Sequence, residues 1–302
     1  MGLGRPAPSP PAPLRAAERG AKPGEIRMLT ETFHSIITAA RKVFTNWRAM
    51  LLLAIVYASL LAALYFFVAV REASIGQVIL TFALAIAAPL LFFVLQSMVA
   101  SQTDEETVGS LLRRSLTSFW KLILISLPLI ALGVLIAYLL AKAQNYFGAS
   151  LNEPDRDLLH QIAARVDAQR AARPIDWKVA LLSTVRYLAF GLVLPLAAIH
   201  LWLATVHEGL GAAVRKVRTH LAQAFAPQSV LIYIAGFLVF GVAPYFLLFK
   251  TTQTKHAWLE VSLLVARLVV VFALTLFGWV ITVRALGQSS TNPVTDQADE
   301  AA

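Results

Sequence analysis

Two arginines stand where a guanidinium has little polar company. The stretch LLSTVRYLAFGLVLPL, residues 181–196, carries Arg186 and Tyr187 inside an apolar run, and WLEVSLLVAR, residues 258–267, ends on Arg267. Each arginine follows a tryptophan, Trp177 or Trp258, by the same number of residues. At 1.5 Å of helical rise per residue, that spacing sets both at ~13 Å below one interfacial ring of indoles. Two guanidinium groups at matched depth, with the Tyr187 hydroxyl beside one of them, could hold an anionic lipid headgroup or solute, because the planar donor fork fits phosphate or carboxylate. An arginine at the bilayer centre costs roughly 2.5–3.5 kcal/mol on insertion scales, so two simpler fates compete with that chemistry. The side chains can snorkel to the headgroups. They can also pair internally with Glu260, the one carboxylate within an apolar run, helped by Gln96, Ser183, Thr184 and Tyr187.

Other chemistry is sparse. His200, His207 and Glu208 can share one helix face near the end of an apolar run, and read as a packed histidine and an interfacial cap rather than a metal site. Asp155, Asp157 and His160 could approach a cation, but the better reading is that the two acids complement the dipole at the start of a helix. Cysteine is absent, which excludes disulfides, thiolate catalysis and Cys-ligated metal. No phosphate-binding glycine loop, no H-E-x-x-H and no G-x-S-x-G occurs. The chain therefore reads as non-enzymatic, with no cofactor and no metal.

What must position these residues is a set of long apolar blocks. Of 302 residues, 58% are hydrophobic and 14% charged, against roughly 25% charged in a soluble domain. The apolar residues are bunched, not spread with a period of two or 3.6, which makes the chain an all-α polytopic membrane protein. Six spans are expected, at about 48–70, 76–100, 119–141, 178–205, 229–249 and 259–284, each near the ~20 residues that cross a hydrocarbon core. The tryptophans Trp47, Trp120, Trp177, Trp202, Trp258 and Trp279 are expected near span ends, where indoles favour the headgroups. Six spans place both termini on one side, and the surplus of Lys and Arg there reads as cytoplasmic, in a bacterial plasma membrane. The net charge of +9 is then a topology signal, not a nucleic-acid footprint.

A faint internal repeat organises the spans. TAARKVFTNWRAMLLL, LLRRSLTSFWKLILI and GAAVRKVRTHLAQAFAPQSVLIY precede spans one, three and five. Each reads as a basic amphipathic helix on the membrane surface that turns into a span, so the fold is three helical hairpins. Arg41, Lys42, Arg113, Arg114, Arg215, Lys216 and Arg218 are the candidate contacts to anionic lipid or to a partner. Residues 1–30 and 287–302 read as disordered tails flanking a membrane domain at 31–286, and the first span as an uncleaved insertion signal. The outer loop at 142–177 is expected to carry an amphipathic helix over the bundle mouth.

The unit SLLRRSLTSFWKLILI followed by two spans resembles one found in poorly characterised six-span bacterial inner-membrane proteins. Over residues 33–286 the layout is also similar to the membrane domain attached to some glycerophosphodiester phosphodiesterases. The resemblance implies a six-span fold. It carries over no catalytic residue, because the chain has no phosphodiesterase barrel. Two roles follow: a scaffold or accessory subunit that associates with membrane lipid, a protein partner or further copies of itself, or a binder or carrier of an anionic lipid or solute through Arg186 and Arg267. The orientation is directly testable. Alkaline phosphatase fused after residue 302 is expected to be inactive and, inserted within 142–177, active; the reverse pattern inverts the topology.

Overall fold

The computed structural model describes residues 23–70, 74–102, 107–148, 177–250 and 256–291, all of the regular structure being helical. The outer-loop helix expected within 145–177 lies largely outside the described residues. Helix α1 (Pro23–Thr45) opens inside the stretch read as tail, with proline in the first turn, where its missing N–H is no loss. Asn46 separates it from α2 (Trp47–Ala69), its side chain accepting from the Ala49 amide at 3.3 Å. Ser74 caps α3 (Ile75–Ser101) in the same way. Helix α4 (Val108–Gly148) has 41 residues, about 60 Å at the standard rise and twice the hydrocarbon core. The basic segment carrying Arg113 and Arg114 is thus the first turns of span three rather than a separate helix.

Span four is α5 (Trp177–Leu188), a π-helical turn (Ala189–Val193) and α6 (Leu194–Glu208). Two short helices follow, α7 (Leu210–Arg215) and α8 (Val217–Ala224). Span five is α9 (Pro227–Phe237), a second π turn (Leu238–Val242) and α10 (Ala243–Phe249). Span six is α11 (Ala257–Thr291). Among the described residues, six helices are thus long and apolar enough to cross a bilayer, each overlapping an expected span. Consecutive spans pack as hairpins: α2 on α3, α4 on α5 and α6, and α9 and α10 on α11.

The bundle is packed unevenly. Span four is 50% buried over its apolar window, the other five 17–22%, so span four is the central helix. Its α6 half touches α3, α4, α7, α8 and α11. Buried side chains gather in the half of each span nearest the termini: Met50 and Leu53 at the start of α2, Leu95 and Met98 at the end of α3, Leu122 in α4, Leu196 and Ile199 in α6, Val280 and Leu286 in α11. In the opposite half, Phe66, Ile79, Tyr138 and Val269 are exposed. Such apolar exposure would be an aggregation hazard in water, but costs nothing against acyl chains.

Each π turn ends two residues before a proline, Val193 before Pro195 and Val242 before Pro244. Proline removes a helical donor and its ring crowds the carbonyl four residues earlier, and widening the helix by one residue relieves that crowding. Leu194 N–H accordingly bonds Ala189 O, and Ala243 N–H bonds Leu238 O. The carbonyl four residues before Pro195 belongs to Gly191, and the Tyr233 hydroxyl of span five donates to it at 2.9 Å. Lipid supplies no partner for a freed carbonyl, so a neighbouring helix does.

Two tryptophans depart from the headgroup expectation. Trp47, Trp120, Trp177 and Trp258 are exposed, but Trp202 is buried and donates to Ser126 Oγ at 2.8 Å, and Trp279 donates to Gln96 Oε1 at 3.0 Å. An indole N–H turned away from water needs an acceptor, and here the buried Trp202 and the half-buried Trp279 tie spans three to four and two to six. Spans five and six meet across glycines. A Cβ at Gly278 would lie 2.9 Å from Phe240 Cβ and 3.2 Å from its backbone nitrogen, whereas one at Gly76 would meet nothing within 4 Å. Gly278→Ala is therefore expected to cost about 1–3 kcal/mol through overpacking, read as a lowered thermal midpoint in detergent, with Gly76→Ala showing no loss. Equal behaviour of the two variants would contradict this packing.

Candidate functional site

The polar residues of the bundle converge on the side of the termini. The C-terminal ends of α3, α6 and α11 meet there, and Gly209 directs the chain back across them. Its backbone, φ +87° and ψ 159°, is open only to glycine. That bend sends α7 and α8 over the bundle end, with α8 packed along α6.

Beneath α8 lies a cavity of about 450 Å³, large enough for a small-molecule headgroup. Its walls carry Gln102, His200, His220 and Arg284, and Lys42, His207, Glu208 and Lys216 stand at its rim. The wall groups are nearly removed from solvent: His200 is 3% exposed, His220 7%, Gln102 9% and Arg284 9%. Arg284 Nη2 donates to the Gln102 carbonyl at 3.4 Å. His200 Nδ1 donates to the Leu196 carbonyl at 3.0 Å, and His207 Nδ1 to Leu203 at 2.7 Å. At the rim, Lys216 Nζ donates to Glu208 Oε2 at 3.0 Å, and His220 Nε2 lies 3.8 Å from Glu208 Oε1.

Several wall atoms have no hydrogen-bond partner among the described residues: Gln102 Nε2 and Oε1, His200 Nε2 and His220 Nε2. Buried polar groups are nearly always satisfied, so a cluster of unsatisfied ones around a cavity marks a place where something else supplies the partner. Among the described residues, the fixed charges lining the cavity are two lysines and an arginine against one glutamate. Among the described residues no three His, Asp or Glu side chains come together as metal ligands.

The sequence-derived candidates fall into three groups. Arg186 and Tyr187 are exposed on α5, and Arg186 has no hydrogen-bond or ion-pair partner among the described residues. Arg267 reaches up its own span, and Nη1 donates to the carbonyl of Lys250, the residue closing α10, where a helix end lacks internal partners. The two arginines sit on helices with different main neighbours, α5 against α4 and α11 against α9, α10 and α1. The surface cations Arg41, Lys42, Arg113, Arg114, Arg215, Lys216 and Arg218 are all exposed, and only Lys42 and Lys216 join the cavity. His200, His207 and Glu208 do line one face, as their spacing requires.

Arg284 was missed because span six looks complete at that point, although VITVRALG holds it in an apolar setting much like that of Arg186. Gln102 and His220 carry no pattern of their own. The cavity also has an apolar counterpart of about 530 Å³ across α6, lined by Phe92, Phe93, Leu129, Phe190 and Trp202.

Fold and site define a multi-span α-helical membrane protein with a cationic polar cavity at one end of its bundle. Compared with protein-family models, curated proteins and solved structures, the chain matches none. Gly209 tests how the cavity is closed. Gly209→Ala adds no clash, since a Cβ there meets nothing within 4 Å, and is expected to cost about 1–3 kcal/mol in backbone strain alone. Hydrogen exchange should rise across residues 210–224, and unchanged protection would show that the bend does not hold α7 and α8 down.

Proposed function

We propose that this is a non-enzymatic membrane protein whose terminus-side cavity binds a small anionic group, either the headgroup of an anionic lipid or a soluble oxyanion. The observation that carries this is the buried Arg284 guanidinium, placed in a cavity with Lys42 and Lys216 and with unsatisfied amide and imidazole atoms. A planar guanidinium on the wall of a polar cavity, beside two lysines and buried donors that lack partners, suits a phosphate or carboxylate guest. Arg186 and Arg267 remain a separate proposed anion contact at the opposite interface, supported by their matched depth. The membrane is proposed to be a bacterial plasma membrane with both termini cytoplasmic, so the cavity opens to the cytoplasm, as the Lys and Arg surplus supports. The six-span inner-membrane proteins that the repeat unit resembles share this layout.

A second role is supported by the exposed cations Arg41, Arg113, Arg114, Arg215 and Arg218, which surround the same end of the bundle. They suit a scaffold or accessory subunit held against anionic lipid, a protein partner or another copy of the chain, each cation near a charged surface adding about 1 kcal/mol. The anion reading is tested by titrating inorganic phosphate against chloride at equal ionic strength and following thermal stability in a neutral detergent. Phosphate is expected to stabilise the wild type, and Arg284→Gln to lose at least about tenfold in affinity, the loss of one charge-assisted pair. No phosphate stabilisation, or an unchanged affinity in Arg284→Gln, would overturn it.

A further inference from the structure

The cavity walls present acceptors as well as cations, and a bare oxyanion has nothing to offer an acceptor. A backbone carbonyl only accepts, so the nitrogen facing it must donate: His200 Nδ1 carries a hydrogen toward Leu196. In the neutral ring, Nε2 is then a lone pair, and it is buried, on the cavity wall and unpartnered. His207 is fixed in the same tautomer by Leu203, about two helical turns further along the same face. The Gln102 side chain adds an unpartnered oxygen, Oε1, beside an unpartnered N–H₂, its backbone carbonyl being the one that Arg284 meets. Donors and acceptors thus line one small cavity, with Arg284 supplying the charge.

Resting on the anionic reading above, we propose that the ligand is an oxyanion that carries its own hydroxyl donor, a hydrogen phosphate or a hydroxylated phosphate headgroup. Its anionic oxygens face Arg284, Lys42 and the Gln102 amide, and its O–H faces His200 Nε2. A site built around buried acceptors rejects an isostere lacking the donor, because the acceptors are then left desolvated and unpaired. Sulfate is that isostere, matching phosphate in shape and charge but fully deprotonated.

The test is a pair of calorimetric titrations, inorganic phosphate and sulfate at equal ionic strength and pH 8, where an ordinary imidazole is neutral. The wild type is expected to bind phosphate at least about tenfold more tightly than sulfate. His200→Leu removes the acceptor and is expected to bring the two anions to within about threefold of each other, by weakening phosphate rather than by strengthening sulfate. Equal binding of the two anions by the wild type would overturn the donor assignment while leaving the anion site standing, whatever His200→Leu does to folding. Binding of neither anion would overturn both. Repeating the phosphate titration in phosphatidylglycerol and in phosphatidylcholine nanodiscs then separates the sources. Weaker apparent phosphate binding in phosphatidylglycerol alone names a lipid headgroup as the occupant, and equal affinity in both names a soluble phosphate. Either result, with the His200 dependence, upholds the assignment.

Discussion

Lipid offers no hydrogen bonds, and that single constraint accounts for where the polar atoms of this protein lie. Every indole N–H, hydroxyl and freed carbonyl inside the spans has to be answered by another part of the chain. Trp202 finds Ser126, Trp279 finds Gln96, and Tyr233 answers the Gly191 carbonyl that Pro195 leaves over. Each of these contacts joins two different spans, so satisfying the polar groups and assembling the bundle are the same event. Thr81 and Ser101 hold isolated exceptions among the described residues, and a cluster of them, on Gln102, His200 and His220, lines the terminus-side cavity.

The same constraint separates the two halves of the bundle. On the side of the termini the spans are close, glycines let backbones approach, and side chains such as Leu196 and Val280 are fully enclosed. On the other side the helices present leucine, valine and phenylalanine outward and need no protein neighbour. A cavity with polar walls can be held to a fixed shape only where packing is dense. That is where the structure has one, roofed by α7 and α8 through the bend at Gly209.

Much of the fold was legible in the sequence because length and apolarity alone decide a spanning helix. All six spans fall where the apolar blocks lie, and separate basic helices precede spans one and five. Helix ends were harder: α4 runs without a break from Val108 through span three, since nothing in SLLRRSLTSFWKLILI stops a helix. The site was legible only in part. Equal spacing from a tryptophan drew attention to Arg186 and Arg267, which are set toward the opposite interface, Arg267 closing the end of α10. Arg284 obeys no comparable spacing, and the residues that share its cavity come from α1, the end of α3, α6 and α8, far apart in the chain. Only His200, His207 and Glu208, on one helix, gave a local signal, and their meaning depended on the residues that pack opposite them.

Whether the buried Arg284 belongs to an anion site can be seen directly in a crystallographic density map of the wild type grown with phosphate. Tetrahedral density is expected in the cavity, within hydrogen-bond distance of Arg284 and Gln102. A clear map showing that cavity without phosphate, with the anion held instead at Arg186 or Arg267, would contradict it.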